Sequence, residues 1–133
     1  MQDKEFNLID ERIVEYVKHI DIKKNNEIKM KYDRNDIKEL ASLLSPERCK
    51  NLKECLDVSL CLYNINSSYY DIWNEWNRKY KDKEYNEIKL LDRWKSYEKN
   101  KIKSKLTIDN LLLWCRHDNS NKYENFHQQK KIH

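Results

Sequence analysis

Basic side chains in the middle of the sequence could neutralise the phosphates of a nucleic acid. Between Trp76 and Lys105 there are eleven Lys or Arg against five Asp or Glu, whereas the rest of the chain has sixteen against eighteen. The net charge of +4 therefore comes from this one stretch. Lysines interleaved with aromatic residues such as Trp94 and Tyr97 are typical of a surface that binds single strands. The predicted phosphate-binding residues are Arg78, Lys79, Arg93, Lys95, Lys101, Lys103 and Lys105. The competing interpretation is a solvated lysine-rich surface that binds nothing.

The segment YYDIWNEWNRKY contains aromatic side chains that could serve in either of two ways. Tyr69, Trp73, Trp76 and Tyr80 are spaced four, three and four residues apart, which places them on one face of a helix. Such a face can be part of a buried core, or it can offer rings on which nucleotide bases stack. The core is the favoured interpretation, because a continuous aromatic stripe at helical spacing buries a large area. The basic residues near its C-terminal end are expected to reach solvent.

Neither a catalytic set nor a metal site can be named from the other reactive residues. The four histidines have no nucleophile or carboxylate at a recognisable spacing. Cys49, Cys55 and Cys61 are six residues apart in one predicted helix, so their thiols would spread around it instead of pairing as zinc ligands. Cys115 and His117 supply only two ligands. The sequence predicts a non-enzymatic intracellular domain with reduced, mostly buried thiols, no metal and no cofactor.

The composition favours helices as the elements that position these side chains. The 133 residues include no glycine and one proline. This composition argues against glycine-rich hairpins and phosphate-binding loops, and it leaves left-handed turns to Asn or Asp. Aromatic residues make up 11% of the chain, which argues against disorder. No apolar run approaches the length of a membrane span, and no signal peptide is recognisable.

The predicted fold is an all-α bundle of about five to six helices, divided into three regions. Residues 1–34 contain a helix at 5–18 and an alternating segment at 19–32, for which a short β-hairpin and a charged linker are equally good interpretations. Residues 35–118 form the main helical domain. Residues 119–133 are expected to be a frayed polar tail.

Capping residues mark where helices of the main domain begin. Ser45 is a predicted N-cap with Pro46 at the first helical position, where the missing N–H costs nothing. Thr107 is a predicted N-cap for the last helix of this domain. The apolar spacing also places Leu52 and Ile88 on inner faces of their helices.

Four segments follow one another between Leu43 and Phe126: LLSPERCKNLKECLDVSLCLYNI, YYDIWNEWNRKY, RWKSY and LTIDNLLLWCRHDNSNKYENF. Their order resembles the second type of primase C-terminal domain. The residues that match its double-tryptophan motif are Trp73, Glu75, Trp76, Arg78 and Lys79. Trp94 matches a lone tryptophan, and the last helix matches at Leu106, Thr107, Ile108, Leu111 and Trp114.

Two positions depart from the family pattern. The helix with the sequence ECLDVSLCLY lacks a tryptophan that the family usually has, and Asn77 stands where the family favours serine. The resemblance in fold is unaffected, but no single polar residue gains a shared role from it.

The resemblance implies an all-helical accessory module that lies between a primase catalytic domain and a superfamily 3 helicase domain of one polypeptide. Such polypeptides occur in phages and in large DNA viruses of the poxvirus and African swine fever virus kind, which implies the host cytoplasm as the location for a cytoplasmic virus. The expected function is to bind single-stranded template DNA, and an initiating nucleotide with it, during primer synthesis. Two alternatives stay open: a connector that docks primase against helicase without touching DNA, and an unrelated interaction protein.

Overall fold

The computed structural model describes residues 31–132, and all its regular elements in that range are helices. The all-α prediction is therefore confirmed. The chain divides into two compact units, Met1–Asp33 and Arg34–His133, and the described helices belong to the second unit. The helix predicted at 5–18 and nearly all of the segment 19–32 fall outside the described residues.

Seven α-helices within residues 31–132 form the bundle. They are α1 (Arg34–Ser42), α2 (Pro46–Lys50), α3 (Leu52–Ile65), α4 (Tyr70–Lys81), α5 (Glu87–Lys99), α6 (Ile108–Asp118) and α7 (Ser120–Ile132), with a 3₁₀ turn at Asp82–Glu84. Helix α4 packs against α1, α2, α3 and α5, so the core lies around it. Among the described helices, none combines the length and the apolar character that a bilayer span requires.

The helix predicted after Ser45 is in fact two helices, because the chain breaks at Asn51. The backbone of Asn51 is extended, and its side chain accepts a hydrogen bond from the Glu54 N–H at 3.0 Å. Asn51 therefore ends α2 and caps α3, as expected of a side chain that competes with helical hydrogen bonds. The predicted cap at Ser45 is confirmed, since its hydroxyl accepts from the Arg48 N–H at 3.3 Å and Pro46 follows.

The prediction of a frayed tail at 119–133 is wrong for the described part of that segment, which forms α7. Tyr123 and Phe126 are buried and α7 packs against α6. The Lys130 ammonium also reaches the Asp36 carboxylate at 2.7 Å. The prediction relied on the polar composition of the segment and overlooked two aromatic residues one helical turn apart. Their burial packs α7 against the core.

Two apolar residues expected on inner faces are exposed. Leu52 begins α3 and is 68% exposed, and Ile88 in the first turn of α5 is 74% exposed. Helical geometry explains Ile88, because at 100° per residue it points about 120° away from Trp94, which faces the core. The inner face of α5 could not be located from Trp94 alone. The buried Tyr97 locates it, because Tyr97 lies on the side of Trp94 away from Ile88.

Candidate nucleic-acid interface

The tryptophans of helix α4 belong to the core, as the sequence predicts, and they cannot serve as exposed platforms for bases. Trp73 is 0% exposed and Trp76 is 5% exposed. Tyr69 at the start of the stripe is also buried, whereas Tyr80 at its end is half-buried. The Trp73 indole N–H donates to the Cys55 carbonyl at 3.1 Å, which fixes α4 against α3.

Trp94 on α5 is the centre of the aromatic interior. Its ring lies 5.5 Å from Tyr63, 5.8 Å from Tyr70 and 6.0 Å from Trp73, measured between ring centroids. Its indole N–H donates to the Ser67 carbonyl at 3.0 Å. The contacts with Tyr63 and Tyr70 are edge-to-face, a geometry that stabilises aromatic pairs beyond the burial of apolar area. Trp94 thereby holds three helices and the α3–α4 loop together.

All seven side chains predicted to bind phosphate are exposed. Three of them, Lys101, Lys103 and Lys105, lie in the loop between α5 and α6. This loop, residues 100–107, is called the lysine loop. It has a defined backbone, because the Asn64 side-chain amide donates to the Leu106 carbonyl at 2.9 Å and to Ser104 oxygens at 3.3 and 3.4 Å. The lysines therefore project from a loop whose path is fixed against the end of α3.

The lysine loop starts with an unusual turn at Lys101. Its φ is +51°, the left-handed region that Gly or Asn usually occupies. The Lys101 N–H donates to Glu98 O at 3.1 Å and the Ile102 N–H to Tyr97 O at 2.9 Å, which together make a Schellman motif. The chain has no glycine to place there. The expectation that left-handed turns fall to Asn or Asp holds for Asp82, with φ +54°, and is wrong for Lys101.

Lys95 lines a recess beside the lysine loop. The recess has a volume of about 420 Å³ and is lined by Tyr63, Ser67, Trp94, Lys95, Glu98 and Lys99. The sequence did not point to Tyr63, which becomes relevant because its half-buried ring borders this recess. Asn64, which fixes the lysine loop, follows Tyr63 directly. We call the recess together with the lysine loop the lysine surface.

The remaining three predicted residues are not part of the lysine surface. Arg93 and Lys95 lie on opposite flanks of α5, because they are separated by about 200° around the helix. Arg78 and Lys79 line a groove between α1 and α4. Arg78 contacts the Tyr85 ring just before α5, whereas the lysine loop follows its C-terminal end, about 20 Å away along a 13-residue helix. Whether any of the seven residues binds DNA stays a prediction.

Arg48 and Asp118 form a buried ion pair that the sequence did not indicate. The guanidinium binds both carboxylate oxygens at 2.8 Å, and the Ser45 N–H donates to the same carboxylate at 2.9 Å. Burial works to raise the pKa of Asp118, but the hydrogen bonds from Arg48 and Ser45 prevail and hold this pKa at about 2. Trp114 lies under the guanidinium at 5.3 Å. Seventy residues separate the two charges, so no local spacing could have paired them.

The thiols are buried and have roles in packing. The break at Asn51 brings Cys49 and Cys55 to one acceptor, the Asn77 Oδ1 atom, at 3.7 and 3.2 Å. Burial raises the pKa of the Cys61 thiol to about 12, which keeps it neutral. All four cysteines are free and buried. Within residues 31–132, no three His, Cys, Asp or Glu side chains come together where they could hold a metal ion.

Asn77, which stands in place of the serine expected from the resemblance, is fully buried. Its amide donates to the Trp73 carbonyl at 2.8 Å while its oxygen accepts from the two thiols. The substitution therefore has a structural explanation, because the longer side chain reaches both its own helix and the neighbouring sulfurs.

Comparison with known proteins agrees with the segments quoted above. The profile of the family Primase C terminal 2 (PriCT-2) matches residues 37–115, which is more than half of the chain. No curated protein and no solved structure gives a significant match. The matched range extends from α1 to the C-terminal part of α6 and includes Trp73, Trp76 and Trp94. The chain therefore belongs to the PriCT-2 family of primase C-terminal domains.

Proposed function

We propose that this chain is the accessory helical module of a DNA primase–helicase, and that it binds single-stranded template DNA along the lysine surface during primer initiation. Membership of a primase-associated family supports the role in replication. The observation that carries DNA binding is the lysine surface itself. Its five lysines, Lys95, Lys99, Lys101, Lys103 and Lys105, provide contacts to phosphate, and the half-buried Tyr63 ring in the recess provides one for a base.

The anchoring of the lysine loop supports a binding role over a merely solvated surface. Asn64 binds the loop at Ser104 and Leu106, and Thr107 caps the helix that follows, so the backbone that carries Lys103 and Lys105 has a fixed path. A loop ordered before binding loses less conformational entropy when a ligand arrives. We propose a phage or large DNA virus of the poxvirus or African swine fever virus kind as the source, and the host cytoplasm as the location for a cytoplasmic virus.

Fluorescence anisotropy with labelled oligothymidylate at low salt tests this function. Replacing Lys101, Lys103 and Lys105 together by alanine should lower the log–log salt slope by up to about 2, since each phosphate contact on a single strand contributes roughly 0.7. The fold should remain intact, because loop lysines contribute little to stability.

A control variant with the same change in net charge makes this test specific. Lys50, Lys122 and Lys131 are exposed and lie outside the lysine surface. Their joint replacement by alanine should leave the slope almost unchanged. An equal effect of both triple variants would show a response to net charge only, and undiminished binding by the first would mean that the lysine surface only solubilises the domain.

The second candidate function is a connector that docks against other domains of the same polypeptide. The observation that favours it is the set of large exposed apolar side chains within residues 31–132, namely Leu52, Ile88, Ile102 and Leu113 at 68, 74, 44 and 59% exposure. Large exposed apolar residues suit contacts with protein more than contacts with phosphate. Absence of oligothymidylate binding at low salt would make this the preferred function.

A further inference from the structure

A groove between α1 and α4 has the dimensions of a small-molecule site. Its volume is about 580 Å³, within the range usual for ligand pockets. Its apolar part comes from Ala41, Ile72, Trp76 and Tyr80. Its lining residues on α4 extend from Asp71 to Tyr80, nearly the whole helix, and those on α1 from Lys38 to Ser42.

The charges of the groove favour an anion. The carboxylates of its wall already have partners, since Asp71 pairs with Arg34 and Glu75 pairs with Arg78. Lys38 and Lys79 also line the groove, and within residues 31–132 neither has a carboxylate partner. Among the described residues, the groove therefore has two positive charges in excess of its paired carboxylates.

Trp76 supplies an unused hydrogen-bond donor in the same wall. Its side chain is 95% buried and lines the groove, yet its indole N–H is the one buried side-chain N or O atom in the described residues without a partner. The other two tryptophans of the interior, Trp73 and Trp94, both donate to carbonyls. A buried donor without an acceptor is destabilising, so such a group calls for an explanation. The N–H itself has almost no accessible surface, so an oxygen atom seated at the bottom of the groove would satisfy it only after a small shift of the groove wall.

We propose that the α1–α4 groove binds a small organic anion, with an apolar body against Ile72 and Tyr80 and an oxyanion neutralised by Lys38 and Lys79. One oxygen of the anion accepts the Trp76 N–H. The residues that would contact the apolar body, the oxyanion and the acceptor oxygen are not part of the lysine surface. The proposal therefore does not depend on whether the domain binds DNA. A compact body is required, because the groove is bounded on both sides by helices.

The probe for this site is 1-naphthoate, and 1-naphthamide is its uncharged control with the same ring system. In a two-dimensional ¹H–¹⁵N NMR titration, the indole N–H resonance of Trp76, assigned from Trp76→Phe, should shift with 1-naphthoate. The expected dissociation constant is about 1 mM, usual for a ligand of about a dozen non-hydrogen atoms. The amide should bind roughly fivefold more weakly, because it lacks the charge-assisted contact.

Two variants separate the groove from general apolar binding. Lys38→Ala combined with Lys79→Ala should weaken 1-naphthoate roughly fivefold and leave 1-naphthamide unchanged. Lys50→Ala combined with Lys122→Ala, which removes the same charge elsewhere, should change neither. The proposal is wrong if the Trp76 resonance does not respond to 1-naphthoate, if acid and amide bind equally, or if oligothymidylate shifts this resonance while 1-naphthoate does not. The last result would assign the groove to nucleic acid.

Discussion

The aromatic interior and the lysine surface of this domain are built in opposite ways. In the interior, Trp73 and Trp94 are fixed by rings on several sides and by hydrogen bonds from their indoles. On the lysine surface no hydrogen bond or ion pair with another described residue holds the lysine side chains, and only the backbone path is fixed, chiefly through Asn64. A substitution in the interior is therefore expected to lower the stability of the domain, whereas a substitution on the lysine surface is expected to weaken binding.

The largest expected effect comes from truncating the interior. Trp73→Ala should destabilise the domain by roughly 3–5 kcal/mol, because it removes a fully buried ring and its hydrogen bond to Cys55. Trp76→Ala should fall in the same range. Urea denaturation followed by circular dichroism measures this free energy of unfolding. A Trp76→Ala variant that keeps its stability but no longer binds oligothymidylate would show that this tryptophan belongs to the binding surface.

The Arg48–Asp118 pair tests whether a buried ion pair contributes to the stability of the domain as the aromatic interior does. Because the folded pKa of Asp118 is about 2, below the usual 3.8, its stabilisation is complete above about pH 5 and is lost as the pH falls from about 4 towards 2. The loss should be about 2 kcal/mol. Its side chain is only 4% exposed, so little solvent screening applies.

Substitutions separate this contribution from the titration of other carboxylates. Asp118→Asn should destabilise the domain by about 2–4 kcal/mol at pH 7, because it leaves a mostly buried guanidinium without its partner. It should also flatten the loss of stability between pH 4 and pH 2. Asp57→Asn, which removes a mainly exposed pair with Lys53, should cost less than about 1 kcal/mol. Similar losses of stability in the two variants would show that the buried pair contributes no more to the free energy of unfolding than the exposed pair does.

A smaller effect distinguishes the two neighbouring tryptophans of α4. Trp73→Phe removes a hydrogen bond and Trp76→Phe does not, because the Trp76 N–H has no partner among the described residues. Trp73→Phe should therefore be more destabilising than Trp76→Phe by about 1 kcal/mol. Thermal denaturation of both variants checks this difference. A larger loss for Trp76→Phe would mean that its N–H is already satisfied in the free protein.

The smallest effect has the opposite sign and lies on the lysine surface. Lys101→Gly should stabilise the domain by about 0.5 kcal/mol, because relief of the left-handed conformation exceeds the entropy that glycine adds to the unfolded chain. The same variant should bind oligothymidylate more weakly. Lys103→Gly removes an equal charge without a left-handed turn, so it should weaken binding and give no gain in stability.

The interior was predictable from the sequence because the signals are local. The spacing of Tyr69, Trp73 and Trp76 defined one buried face, and Ser45 and Thr107 marked helix starts with their own side chains. The break at Asn51 escaped prediction, since asparagine in an amphipathic pattern does not show whether it caps or continues a helix. The tail was misjudged because its average polarity outweighed two aromatic residues.

The candidate sites were predictable only in part, because they depend on contacts between distant segments. The excess of lysine was visible as a count, and the spacing of Arg93 and Lys95 places them about 200° apart on a helix, but which of the two borders the recess required the inner face to be known. The recess at Tyr63 exists because Trp94 packs there. The groove between α1 and α4 depends on two helices nearly 30 residues apart, and no pattern within either of them indicates that the Trp76 N–H is left without an acceptor.

The ion pair between Arg48 and Asp118 also has a mechanical consequence. It joins the start of α2 to the end of α6, and the Cys115 thiol likewise reaches the Leu40 carbonyl on α1 at 2.9 Å. Helices α1 and α2 at the start of the bundle are therefore held beside the end of α6, and Lys130 on α7 also reaches Asp36 on α1. A force that pulled α1 and α2 away from α6 would act on these side-chain contacts before it reached the aromatic interior.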